Sequence, residues 1–347
     1  MDGDDTLVVW FSLTRAVHFG ACLLALGACA FDRFVADPVL RRAGPAAGGR
    51  WDAIARWLAV LALPAALLSG AAWFAFVAIQ MSGLPPSQAL RMDVLRLVWG
   101  QTRFGELWRL RAVFWALASV FVVPALFFQR KTLHRCALTW ASLICTSLLA
   151  GSLAWAGHGR TGGAPAWHLL ADALHIVVGG FWPAGLLPFL MLAFGVRRLP
   201  ESEQLPFLAA LTRRFSTISL ASVALLATTG IANTWFLVGS ISDLYSTQYG
   251  RVLSVKIALF CAMVGVGAVN LLILMPRLSV DPIRGRHSGT KATAARLRWN
   301  VMAEIFSFAV ILLIVGILGL LPPAAEGTAH HHHHHESQAT DATATSP

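Results

Sequence analysis

Apolar residues in this chain gather into eight long runs, at about 7–31, 52–79, 106–128, 134–156, 166–195, 214–238, 251–275 and 299–321, separated by polar stretches. An α-helix rises about 1.5 Å per residue, so roughly 20 apolar residues cross about 30 Å of hydrocarbon. The pattern predicts an all-α, polytopic membrane protein with eight transmembrane helices. The first run follows Asp2, Asp4 and Asp5 instead of a basic n-region, so it is not expected to be a cleaved signal.

The polar stretches orient the runs. Lysine and arginine crowd into alternate loops: Arg33, Arg41, Arg42 and Arg50; Arg130, Lys131 and Arg135; Arg197, Arg198, Arg213 and Arg214; and Arg277, Arg284, Arg286, Lys291, Arg296 and Arg298. Basic loops stay in the cytoplasm. Both chain ends lack lysine and arginine, which places both termini on the outer side of the membrane. The segment 91–111 is dissonant, being outside yet carrying Arg91, Arg96, Arg103, Arg109 and Arg111. Residues 93–103 read as a short amphipathic helix lying on the outer surface.

Composition agrees with this pattern. Of 347 residues, 56% are hydrophobic and 13% charged, with a mean hydropathy of +0.65. Soluble domains carry about 25% charged residues. Soluble, disordered and disulfide-stapled secreted classes are thereby excluded. The net charge of +10 comes mostly from loop arginines, so the bilayer is the expected partner and nucleic acid is not. Cys22, Cys29, Cys136, Cys145 and Cys261 all fall in or beside helices, where they read as small hydrophobes without a disulfide. Cys29 and Cys136, near the inner ends of their helices, could also receive a soft metal. Trp155, Trp167 and Trp182 read as an interfacial belt.

Three short patterns recur in the same order. Arg15-Ala16-Val17-His18 resembles Asp172-Ala173-Leu174-His175, and Ser69-Gly70-Ala71-Ala72-Trp73 resembles Thr229-Gly230-Ile231-Ala232-Asn233-Thr234-Trp235 with one insertion. Phe104-Gly105 through Arg111 resembles Tyr249-Gly250 through Lys256. They predict two four-helix halves, 1–156 and 157–323, related by a pseudo-two-fold axis along the membrane normal. The remaining residues, 324–347, read as a disordered outer tail. His18 then pairs with His175, and Arg111 with Lys256.

Ionisable groups in a membrane helix cost roughly 2.5–3.5 kcal/mol on insertion scales, so they are functional suspects. Arg15 and His18 lie on the first helix. His168, Asp172 and His175, spaced i, i+4 and i+7, share one face of the fifth. His158 ends the fourth helix on the same outer side, and Asn233 and Lys256 complete the set. Imidazole suits copper, zinc, iron and nickel. The reading is a metal site of His18, His168 and His175, with His158 near its mouth. Asp172 would orient an imidazole or pair with Arg15. Met81 and Met92 flank an outer loop and offer thioethers suited to Cu(I). Arg15, Arg111 and Lys256 also suit an anionic group. That keeps an alternative open, a haem-binding redox protein with His18 and His175 as axial ligands. His330 to His335 read either as a purification tag or as a native metal-gathering tail.

The residues His168 to His175, Gly179-Gly180-Phe181-Trp182 and Gly185-Leu186-Leu187-Pro188 resemble the bacterial copper resistance protein D (CopD) family. So do Arg214-Phe215-Ser216, Thr229 to Asn233, Tyr249-Gly250-Arg251 with Leu253 and Lys256, Ala303-Glu304, and Leu320 to Pro323. The resemblance implies an eight-helix inner-membrane protein of copper homeostasis that moves copper from periplasm to cytoplasm. It also implies a small periplasmic copper-binding partner of the CopC type, expected as a separate chain because few residues precede the first run. The matched histidines are His168 and His175. Copper, of either oxidation state, is the expected ion. No nucleotide-binding motif is recognisable, so neither an ATP-driven pump nor an enzyme is expected.

Overall fold

Backbone N–H and C=O groups find no water in hydrocarbon, so each apolar run must close its hydrogen bonds within itself and forms a helix. The computed structural model describes residues 3–43, 51–125, 133–156, 166–278 and 290–324. Within them are eight helical segments long and apolar enough to span a membrane: α1 Asp5–Arg42, α2 Trp57–Ser82, α3 Arg103–Ala125, α4 Leu133–Ala156, α5 Ala166–Arg198, α6 Glu201–Val238, α7 Gln248–Leu278 and α8 Lys291–Leu318. No strand occurs among the described residues.

Several helices outrun their apolar stretches. Arg41 and Arg42 lie on a continuation of α1 beyond a π-helical turn at Asp32–Ala36, and that turn itself carries Arg33. Arg213 and Arg214 are inside α6, and Arg296 and Arg298 inside α8, where the charge pattern suggests loops. The hydrocarbon requirement stops at the interface, but helix propagation needs only one more hydrogen bond per residue, and arginine is a good helix former. At 38 residues α6 is about 57 Å long, well beyond a hydrocarbon core of about 30 Å. Conversely, α5 is not continuous. It breaks after Phe181 and resumes at Leu186, because Pro183 brings no N–H.

The dissonant outer segment is indeed helical, over Met92–Gln101. Thr102 joins it to α3: its hydroxyl accepts from the Gly105 N–H at 2.9 Å and donates to the Val98 carbonyl at 2.6 Å. Before α7 the same device recurs. There Thr247 accepts from the Gly250 N–H at 3.0 Å and donates to the Asp243 carbonyl at 2.6 Å. These are threonine N-caps. Both glycines are required sterically, since a Cβ on Gly105 would strike the Val98 and Trp99 carbonyls and one on Gly250 would strike the backbone of Asp243 and Leu244.

The core centres on α1. Its apolar window is 72% buried, against 17% for α7. It packs on α2, α4, α5 and α8. Its crossing with α5 is close: a Cβ on Gly27 would lie 2.8 Å from the Ala184 carbonyl carbon, and one on Gly180 would overlap Leu26. The partners show a regularity, in that α1 packs on α2 and α4 as α5 packs on α6 and α8, and α4 meets α5 as α8 meets α1. At the end of the bundle away from the first residues, Asp32 and Arg135 form a buried ion pair at 3.0 Å. Beside it a cavity of about 360 Å³ is lined by Asp32, Arg135, Cys136 and Thr139, among others. All five cysteines are free thiols. Trp155 and Trp167 are exposed, as a belt requires, but Trp182 is buried against Phe260, at 6.1 Å between ring centroids. It follows the α5 break, which turns it inward.

Candidate functional site

His18 is held by three helices. Its Nδ1 lies 3.0 Å from the Ser69 hydroxyl of α2, and that hydroxyl donates in turn to the Ala65 carbonyl at 2.6 Å. Since the hydroxyl proton is committed, Nδ1 carries the imidazole hydrogen and Nε2 the lone pair. Arg111 of α3 donates to that lone pair at 2.6 Å. The same guanidinium reaches Cys22 Sγ at 3.6 Å, and Cys22 Sγ lies 3.8 Å from His18 Nε2. Its other nitrogen donates to Ser152 at 2.6 Å and to the Leu149 carbonyl at 3.1 Å. Trp73 and Trp108 enclose the imidazole, and a Cβ on Gly70 would sit 3.0 Å from its Cε1. Arg111 thus stands between an imidazole nitrogen and a thiol, the place a cation would take.

Arg15 is buried beside this group. Its guanidinium lies 4.4 Å over the Trp73 ring and against the Gly319 backbone, and its Nε has no acceptor among the described residues.

His175 is built alike on one side and differently on the other. Its Nδ1 lies 2.9 Å from the Thr229 hydroxyl, which donates to the Leu225 carbonyl at 2.6 Å. A Cβ on Gly230 would be 3.4 Å from its Cε1. Here too the hydrogen sits on Nδ1. No hydrogen bond to Nε2 occurs among the described residues, so its lone pair is open. One turn earlier Asp172 accepts from Asn233 Nδ2 at 3.0 Å, and Lys256 acts electrostatically on both Asp172 and His175. Among the described residues the hydrogen bond of Asp172 goes to Asn233, and none to an imidazole or to Arg15 occurs.

His168 is buried, stacked on Phe236 at 3.7 Å between ring centroids, and neither ring nitrogen has a partner among the described residues. Such orphaned nitrogens are rare in native interiors. His168, Asp172 and His175 do lie on one helix, Ala166–Phe181. Met81 and Met92 are exposed in the connection from α2 to α3. His158 and the run His330 to His335 lie outside the described residues.

Among the described residues no three His, Cys, Asp or Glu side chains converge as ligands for one ion. His18, His168 and His175 are not gathered into one cluster: His18 turns toward α2 and α3, His175 toward α6, and His168 onto Phe236. What the arrangement provides is one open neutral imidazole beside a carboxylate at His175, and one imidazole–thiol pair covered by a guanidinium at His18. Cys22, Ser69 and Thr229 are the residues touching the candidate imidazoles that the sequence reading passes over. The i, i+4 spacing of His18 and Cys22, and the place of Ser69 and Thr229 in the repeat, were the available signals.

Comparison with known proteins places these features in context. Residues 4–168 match the copper resistance protein D-like N-terminal domain, and residues 209–318 match copper resistance protein D. The chain is 32% identical over 237 residues to the copper resistance protein D of Pseudomonas syringae pv. tomato, covering 65% of this chain and 71% of that protein. It is 30% identical over 175 residues to the copper transport protein CutJ of Bacillus subtilis, covering 50% of this chain but 31% of CutJ. It is 27% identical over 320 residues to the inner membrane protein YebZ of Escherichia coli, covering 90% and 98% of the two chains. No solved structure matches.

Proposed function

Because the chain belongs to the copper resistance protein D family, we propose that it carries copper through the inner membrane, from periplasm to cytoplasm, by way of the imidazoles of α5. The observation that carries this reading is His175: a half-buried imidazole on a membrane-spanning helix, fixed in one tautomer by Thr229, with no hydrogen bond at Nε2 among the described residues. Neutral imidazole is a copper ligand, and the hydrogen bond on its far nitrogen is what orients a ligating histidine. His168, two turns toward the helix start and with neither nitrogen bonded among the described residues, is the next imidazole on the same face.

The chain is a multi-pass membrane protein with both termini assigned to the periplasm by its basic loops. Copper reaches the outer face from a small periplasmic donor of the CopC type or through His330 to His335, with His158 and the Met81–Met92 connection near the mouth. An inward potential of about 100 mV contributes about 2.3 kcal/mol per unit charge, which favours cation influx. The matched hydroxyl–imidazole pairs, Ser69–His18 and Thr229–His175, support a pseudo-two-fold relation between the halves, as do the two threonine caps. On this relation the two sites have diverged. The first is closed by Arg111, and the second is open, with Lys256 in the corresponding place. Axial haem ligation would require Arg111 to leave His18 Nε2, and no observation favours it.

The test is the copper content and visible spectrum of purified protein lacking residues 330–335. The reading expects close to one equivalent of copper, lost in His175→Ala, and no Soret band. A Soret band that vanishes in His18→Ala or His175→Ala would replace it with the haem reading.

A further inference from the structure

The middle of α8 holds an acid that the copper route does not use. Glu304 of α8 is 3% exposed, and its Oε1 has no hydrogen-bond partner among the described residues. It faces α7, where a Cβ on Gly267 would lie 3.3 Å from that oxygen. One turn along, Asn300 Nδ2 donates to Asn270 Oδ1 at 2.8 Å. The i, i+4 step from Asn300 to Glu304 and the i, i+3 step from Gly267 to Asn270 make these two successive rungs between the same helices. From Asn270 to Leu274, α7 is wound as a π-helix. Such π-segments inside α-helices occur frequently at functional sites.

Of the ionisable groups on the elements packed against α8, Arg15 lies against Gly319, just past the end of that helix, His175 turns to Thr229 and His168 to Phe236, and others are engaged elsewhere. Arg298 donates to the Ala193 carbonyl of α5, Asp32 pairs with Arg135, His18 and Cys22 share Arg111, and Lys256 attends Asp172. No ion pair or hydrogen bond from any of them reaches Glu304 among the described residues. An ionised carboxylate left alone inside a membrane is costly.

We propose that Glu304 is a proton-binding site and that it releases its proton when copper moves through the bundle. The donors decide the occupant. They are oxygens only, which soft copper does not prefer. One carboxyl and two amides already bonded to each other offer far fewer oxygens than the six or more that a hard divalent ion takes. A proton needs only one. In the exchange the O–H bond of the Glu304 carboxyl breaks, the electron pair stays on the carboxylate while the copper cation passing through the bundle offsets its charge, and the proton passes to water. The reverse step reloads it. Proton residence stands on the local geometry alone, while its release on copper passage rests on the transport reading above.

The experiment uses the full chain in lipid vesicles. Infrared spectra at neutral pH are compared between wild type and Glu304→Gln, and then with copper moving across the membrane while a pH-sensitive dye reports protons. The expected result is a carboxylic-acid carbonyl band, worth one carboxyl per chain, that is lost in Glu304→Gln. Copper-linked proton movement should be lost with it. Gly267→Ala serves as a second variant, since its methyl would press on Oε1; it should shift the same band without abolishing it. Identical bands in wild type and Glu304→Gln would overturn the proton site. A lost band with unchanged copper-linked proton movement would overturn its coupling. Failure of the wild type to move copper would overturn the transport reading, with the infrared comparison still deciding the proton site.

Discussion

Two imidazoles in this bundle share a hydroxyl partner and differ in what meets the opposite nitrogen. At His18, Nε2 is taken by Arg111; at His175 no hydrogen bond reaches it among the described residues. The consequence is unequal sensitivity to mutation. His175→Ala is expected to abolish copper binding, whereas Cys145→Ala, which removes a buried thiol that does not touch the imidazole of His175, should leave it intact. Thr229→Val should keep the fold but release the Nδ1 hydrogen, weakening copper affinity by about 10–100-fold, the usual cost of losing a partner behind a ligand. Equilibrium titration with a competing copper chelator measures this, and an unchanged affinity would deny Thr229 its orienting role. The candidate residues themselves were legible in the sequence, because ionisable groups stand out in apolar runs. Their partners were not. Ser69 and Thr229 look like ordinary helix residues until the fold brings α2 and α6 against α1 and α5. Cys22 looks like a small hydrophobe until Arg111 reaches it from α3.

At the scale of elements, membrane helices were legible from length and apolarity alone, since hydrocarbon permits few other structures. Their ends were not, because the hydrophobic signal stops at the interface while α1, α6 and α8 continue past it. The α5 break was written in Pro183 but masked by the apolar residues around it. It turns Trp182 from the expected interface into the core. Element contacts carry two further expectations. Asp32→Ala would break the buried pair with Arg135, a change that costs about 3–5 kcal/mol. A large fall in thermal midpoint in detergent is expected, and an unchanged midpoint would contradict the role given to this pair. Gly27→Ala would force α1 and α5 apart, since its methyl meets the Ala184 backbone. Overpacking of this kind costs about 1–3 kcal/mol, again read as a lowered midpoint.

For the whole molecule, the three patterns that recur in the sequence differ in what they become. The hydroxyl–imidazole and threonine–glycine contacts match between the two stretches. Trp73 and Trp235 do not, since Trp73 is buried on His18 while Trp235 is exposed. The basic loops set an orientation that labelling can check. A maleimide that cannot cross membranes should react from the periplasm with a cysteine placed at Ser242, in the connection before α7, and not with one placed at Arg41; the opposite pattern would invert the topology. The central claim is transport through the open imidazole of α5. Its most direct test is copper uptake into vesicles holding the full chain, with His175→Ala beside the wild type. Wild-type uptake that rises with an inward potential and falls to the protein-free rate in His175→Ala is the predicted result. Equal uptake by the two proteins would contradict the account.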